Sequence, residues 1–283
     1  MMEVRLATEA APGQPANEDS ALVVGDLVAV FDGVTQPADL HNGCTHTPTW
    51  YVQRLAGQLG AAYGEAPDAA LPDLLARAID AVAGKHRGTC DLGHPGTPAA
   101  TACLLRAGDD QVDYLVLCDS PLVLDLGDRQ EVVNDLRFDQ VIADVRQAAL
   151  VPGAVGTAQH AERMKTAATR KWEYTNQPHG YWIASADPGA AYEAVTGTVP
   201  LRGPGRVRRA ALLTDGASAA VEQFALYDWT GLLDLLTTAG PAELIRQVRT
   251  AEHADRDGRA QPRYKRHDDA TAALCLFDEG KPA

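Results

Sequence analysis

Three apolar runs in this sequence stop on an acidic turn: Val28-Ala29-Val30-Phe31-Asp32-Gly33, Tyr114-Leu115-Val116-Leu117-Cys118-Asp119-Ser120 and Ala210-Ala211-Leu212-Leu213-Thr214-Asp215-Gly216. A fourth acidic pair, Asp268-Asp269, stands just before the last apolar run. Strands stacked in one core can bring such turns to one edge, which limits the folds available. Crowded carboxylates repel one another unless they share protons or bind cations, so their convergence implies a metal site. A single Asp-Gly is weak evidence, because both residues are common turn formers. Four acidic sites touching strand ends say more.

The 283 residues, 46% apolar and 22% charged, suit an ordinary globular chain with a large core. A formal charge of −13 argues against a nucleic-acid or anionic-membrane binder, which needs a basic face. The five cysteines, Cys44, Cys90, Cys103, Cys118 and Cys275, are odd in number, with no Cys-x-x-Cys pair. That pattern argues against a disulfide framework and a zinc finger, and fits a reducing, cytoplasmic compartment. The sequence shows no signal-peptide pattern and no run near the ~20 apolar residues of a membrane span.

Strands are expected at 4–8, 21–25 and 27–31, the last two joined by a turn at Gly25-Asp26. Thr47-Pro48 is a helix start, and Tyr51, Leu55 and Leu59 recur along one face. A second helix over about 71–82 aligns Leu71, Leu74, Leu75, Ala78, Ile79 and Val82. Residues 99–106, 112–117 and 122–126 read as consecutive antiparallel strands. After them comes a flap-like insertion at about 139–206, with helical polar sequence, an aromatic stretch from Lys171 to Trp182 and a short helix near 188–195. A strand at 209–214, helices at 218–224, 229–238 and 242–254, and a strand at 270–277 close the chain. Strand groups interleaved with helix pairs predict two packed sheets with helices outside, in one domain spanning 1–283.

The ordered series Asn17-Glu18-Asp19-Ser20, Phe31-Asp32-Gly33-Val34, Thr101-Ala102, Cys118-Asp119-Ser120, Leu213-Thr214-Asp215-Gly216 and Asp268-Asp269-Ala270-Thr271 resembles the metal-dependent type 2C protein phosphatase (PPM) family, in its bacterial form. The resemblance implies an α+β fold, a four-layer α-β-β-α sandwich of two mainly antiparallel sheets flanked by helix pairs. It also implies two or three Mn²⁺ or Mg²⁺ ions and hydrolysis of phosphoserine and phosphothreonine. Carried over residue by residue, Asp32 bridges two cations, the Gly33 carbonyl binds one of them, and Asp215 and Asp268 bind the other. Glu18 and Asp19 act through water, and Asp119 with Asp215 matches a weaker third site.

The residue types suit that chemistry in their own right. Mn²⁺ and Mg²⁺ favour oxygen ligands in near-octahedral geometry, so a few carboxylates and a carbonyl suffice. Two such ions about 3.5–4 Å apart can activate a bridging water for in-line attack on phosphorus and neutralise the phosphoryl oxygens.

Three departures from the family pattern stand out. Gln14 replaces an arginine that commonly binds substrate phosphate, and Thr35-Gln36-Pro37 replaces a glycine pair, with Val34 where many eukaryotic relatives carry a general-acid histidine that many bacterial ones lack. Cys118 takes a glycine position, and Asp269 an asparagine position. Asp269 then either tightens metal binding or faces solvent, and solvent is preferred. His46, beside a helix start, is a candidate acid for the leaving alkoxide. Arg170, with Asn176 and the Tyr181-Trp182 pair, is a candidate phosphate anchor. The expected substrate is a phosphorylated protein or a small phosphomonoester. A catalytically inactive binding module of the same fold is the rival from another class.

Overall fold

The computed structural model describes residues 2–37 and 39–277. Two five-stranded antiparallel sheets stack face to face. The first has β1 (Met2–Glu9), β10 (Ala270–Phe277), β9 (Arg209–Leu213), β6 (Leu122–Asp125) and β7 (Gln130–Val133) in that spatial order. The second has β2 (Asp19–Val24), β3 (Leu27–Asp32), β4 (Ala102–Ala107), β5 (Gln111–Leu117) and β8 (Val195–Pro200). Helices α1 (Pro48–Glu65) and α2 (Leu71–His86) cover the second sheet. Helices α6 (Asp215–Glu222), α7 (Trp229–Thr238) and α8 (Pro241–Ala254) cover the first. The order of layers is α-β-β-α, as expected.

Period-two alternation explains why the central strands are apolar throughout. Val28 and Val30 on β3 enter the core between the sheets, with Cys103, Leu105, Leu122, Leu212 and Cys275. Leu27, Ala29 and Phe31 point the other way, against Tyr51, Leu55 and Leu75 of the helices. A strand buried on both faces has no polar side to show. The α1 start is as read: Thr47 Oγ1 accepts from the Trp50 amide at 3.2 Å, with Pro48 in the first turn.

Several boundaries differ from expectation. Residues 122–125 are not the third strand of one meander: β4 and β5 pair in one sheet, while β6 crosses to pair with β9 and β7 in the other. The crossing is made at Cys118, which holds a left-handed φ of 66° while 1% exposed. The insertion is shorter than 139–206, because β8 pairs along its length with β5 and belongs to the sheet. What remains of it begins at α3 (Arg137–Val141), continues through α4 (Ala143–Ala149) and α5 (Ala158–Trp172), and forms its own small core with Cys118, Tyr181 and Ile183. No helix among the described residues is long and apolar enough to cross a membrane.

Candidate active site

Asp32 ends β3, Asp119 follows β5, Asp215 opens α6 just after β9, and Asp268 precedes β10. All four line one cleft of about 570 Å³ at the end of the sandwich, together with Gly33. The insertion forms its opposite wall through Phe138, Arg146, Met164 and Lys171.

Close backbone packing joins these turns. The Gly33 amide donates to the Glu18 carbonyl at 3.0 Å, and a Cβ on Gly33 would lie 2.4 Å from that oxygen. A Cβ on Gly216 would lie 1.9 Å from the Asp269 carbonyl oxygen. Both Asp-Gly pairs thus have glycine because a neighbouring strand end occupies the side-chain position. The Asp215 amide in turn approaches Asp32 Oδ2 at 3.4 Å.

Asp19 and Asp32 are direct cross-strand partners in the β2–β3 ladder. Asp19 is 5% exposed, and its Oδ2 accepts from Thr214 Oγ1 at 2.8 Å. Burial, with Asp215, Asp19 and Asp268 nearby, pushes the Asp32 carboxyl well above its ordinary range. Burial also raises Asp19 well above its usual value, Asp268 and Asp215 adding to it against the Thr271 and Thr214 hydrogen bonds. Asp268 is pushed up to about 7, chiefly by burial and against the pull of Lys265. Burial raises Glu18 and Asp119 too, and Glu18 accepts a short hydrogen bond from Thr35.

One cation already sits among these groups. Lys265 Nζ donates to Asp268 Oδ1 at 2.5 Å. Its ammonium pKa is raised even though burial opposes the charge, because Asp268, Asp215 and Asp32 surround it. An all-oxygen donor set of several clustered carboxyl groups suits hard divalent ions.

The remaining sequence candidates fall elsewhere. Asp269 neither faces solvent nor enters the cleft: it is 5% exposed and accepts from the amides of Ala11 at 2.6 Å and Glu18 at 2.7 Å. Its carboxylate ties both ends of the segment between β1 and β2 to the start of β10. Arg170 is exposed on α5 and does not line the cleft, whereas the next residue, Lys171, does. Asn176 is spent on its own loop, its Oδ1 accepting from the Ile183 amide at 2.8 Å. His46 also lies outside the cleft lining, with Nδ1 3.4 Å from both Cys44 Sγ and Cys90 Sγ. Gln14 is exposed and lines nothing there.

Sequence reading overlooked Arg146, Lys171 and Lys265, three of the cations that line the cleft with the acidic floor. Burial lowers the Lys171 pKa while Asp119 opposes that shift, and its ammonium lies 4.5 Å from the centre of the Tyr264 ring. The available signal for Lys265 was its position three residues before Asp268.

Solved structures share this architecture. The catalytic domain of a serine/threonine protein phosphatase, PstP, in complex with two manganese ions, matches 97% of this chain and 97% of its own at 15% identity, with a TM-score of 0.58. A PPM Ser-Thr phosphatase from Mycobacterium smegmatis, in complex with cacodylate, matches 98% of this chain and 98% of its own at 19% identity, with a TM-score of 0.54. A serine/threonine phosphatase from Staphylococcus aureus covers 98% of this chain and 96% of its own at 13% identity, with a TM-score of 0.59. No family model matches the sequence, and no curated protein matches it. At these identities the likeness establishes the fold, an α+β sandwich of the PPM phosphatase kind.

Proposed function

We propose that this chain is a divalent-metal-dependent phosphomonoester hydrolase acting on phosphoserine and phosphothreonine in proteins. The observation that carries this reading is the meeting of Asp32, Asp119, Asp215 and Asp268, from four separate strand ends, in one cleft. The manganese in a structure of the same fold supports the choice of ion.

Asp32, Asp215, Asp268 and the Gly33 carbonyl would hold two ions, and Asp119 with Asp215 a third. When bound, such ions supply a water nucleophile at neutral pH and offset charge on the phosphoryl group. Asp32, opposite Asp19, stays fixed because the ladder and the Gly33–Glu18 hydrogen bond set its backbone. Asp19 and Glu18 hold the shell behind that floor, Asp19 through Thr214 and Glu18 through Thr35. Lys171 and Arg146 line the wall beside Asp119, where phosphate oxygens of a substrate would lie, and take the anchoring role first expected of Arg170. The apolar wall of Phe138, Met164 and Tyr181 suits the flanking residues of a peptide.

The test is phosphate release from phosphoserine and phosphothreonine peptides with Mn²⁺, compared with small phosphomonoesters. Turnover of peptides that chelator abolishes supports the reading. Turnover confined to small esters would reassign the substrate class, and no turnover of either would leave an inactive module of the same fold.

A further inference from the structure

A second group of ligand-type side chains lies outside the acidic cleft, where the loop leading from Gly33 enters α1 and where α2 ends. Cys44 Sγ lies 3.4 Å from His46 Nδ1, 3.5 Å from His86 Nδ1 and 3.0 Å from Cys90 Sγ. Cys90 Sγ lies 3.4 Å from His46 Nδ1. All four ligand atoms fall within 4.8 Å of one another, the one such group of His, Cys, Asp or Glu among the described residues.

We propose that Cys44, His46, His86 and Cys90 form a structural zinc site that staples together the two loops of one cleft wall.

The distances fit that assignment. Zinc bonds of about 2.3 Å to sulfur and about 2.0–2.1 Å to nitrogen put tetrahedral sulfur and nitrogen ligands about 3.5 Å apart. The two sulfurs need about 3.8 Å, so an ion parts them by less than about 1 Å. At 3.0 Å they are also far beyond the S–S bond length of about 2.05 Å. Two thiolates and two imidazoles select zinc over the hard ions suited to the carboxylate floor.

Local structure presents each pair. The Cys90 amide donates to the His86 carbonyl at 3.0 Å, continuing the helical turn so that residues four apart share a face. Asn42 Oδ1 accepts from the Cys44 amide at 3.0 Å, and the His46 amide points at Cys44 Sγ at 3.3 Å, a hydrogen bond that favours a thiolate. Trp50 stacks on His46 with ring centres 4.0 Å apart and covers His86 at 5.1 Å. His86 is 1% exposed, its Nε2 has no hydrogen-bond partner among the described residues, and its Nδ1 faces the cluster.

The site matters to the cleft because of what it joins. The Asp91 amide donates to the Gly43 carbonyl at 2.8 Å, and a Cβ on Gly43 would lie 2.5 Å from His94 Cβ. Thr35, Gln36 and Pro37 from one loop and Pro95 and Thr97 from the other line the cleft.

The experiment is metal analysis of the full chain purified under reducing conditions without chelator, followed by Co²⁺ exchange and absorption spectroscopy. Wild type and Asp32→Asn should each carry about one tightly held zinc, and a Cys44→Ser/Cys90→Ser chain almost none. The cobalt form should show sulfur-to-metal charge transfer and the intense visible bands of a tetrahedral site. His46→Cys guards against a double variant that fails to fold, since it keeps four ligands: it should retain zinc and strengthen the charge-transfer band. Zinc retained by the double serine variant, cobalt without a sulfur band, or a Cys44–Cys90 disulfide in the reduced preparation would overturn the proposal.

Discussion

Lys265 Nζ lies 2.5 Å from Asp268 Oδ1, so an ammonium neutralises the carboxylate proposed to hold a metal ion. The same lysine is drawn to Asp215 and Asp32. It stabilises the metal-free floor and competes with divalent cations for it. Lys265→Gln is expected to tighten Mn²⁺ binding by about tenfold, a modest share of a close charge–charge term, while lowering Tm in chelator. Calorimetric titration and thermal melts of both proteins check this, and weaker Mn²⁺ binding in the variant would show that Lys265 helps to build the site.

The raised carboxyls give the metal-free protein a defined pH response. Asp19 and Asp32 lie well above their ordinary values and Asp268 is at about 7. A carboxyl whose folded pKa exceeds its unfolded value contributes stability that is complete below the unfolded value and is lost as pH rises through the folded one. Chelated protein should therefore melt several degrees lower at about pH 8 than at about pH 5, and saturating Mn²⁺ should remove most of the difference. A Tm in chelator that rises over this window would contradict the assigned burial and repulsion.

Asp32→Asn separates function from stability for the same reason. Removing a charge that Asp19, Asp215 and Asp268 oppose should raise the Tm of the chelated protein. Activity should fall by about 100-fold or more, because a ligand to both proposed ions is lost. Melting curves and initial rates on one preparation read both effects.

Lys171 and Arg170 are neighbours on α5 but only Lys171 lines the cleft. Lys171→Ala should raise KM about tenfold or more through loss of phosphate contact, and Arg170→Ala should leave kcat/KM close to wild type. Steady-state kinetics on a phosphopeptide distinguish the two. A large effect at Arg170 alone would restore the sequence-based assignment.

Gly216→Ala drives a methyl group into the Asp269 carbonyl, 1.9 Å from the Cβ position, and should cost about 3 kcal/mol or more. Gly57, in the exposed middle of α1 with nothing within 4 Å, is the control: its alanine variant should gain about 0.5–1 kcal/mol. Urea denaturation measures both.

Much of this architecture was legible because it is written locally. The ends of α7 and β10 follow from hydrophobic runs bounded by clear stops, and Thr47-Pro48 marks α1 unambiguously. β8, with Thr196 and Thr198 exposed around a half-buried Gly197, lacks a continuous apolar signature, and its pairing with β5 is what makes it a strand. The passage of β6 to the other sheet depends on a left-handed Cys118, a conformation that the residue type does not announce. At the site, the acidic turns were readable from strand-end position. The choice of Lys171 over Arg170 turns on one residue of helical phase. The Cys44, His46, His86 and Cys90 group was invisible, because neither half carries a Cys-x-x-Cys pair and only packing of α1 against α2 unites them.

The central claim is that Asp32, Asp215 and Asp268 hold divalent ions together, and Mn²⁺ titration calorimetry of the full chain tests it most directly. Wild type is expected to bind at least two ions per chain at this site, with both lost in Asp32→Asn and one weakened in Asp268→Asn. Wild-type protein that takes up no Mn²⁺, or an Asp32→Asn chain that binds it equally well, would contradict the account.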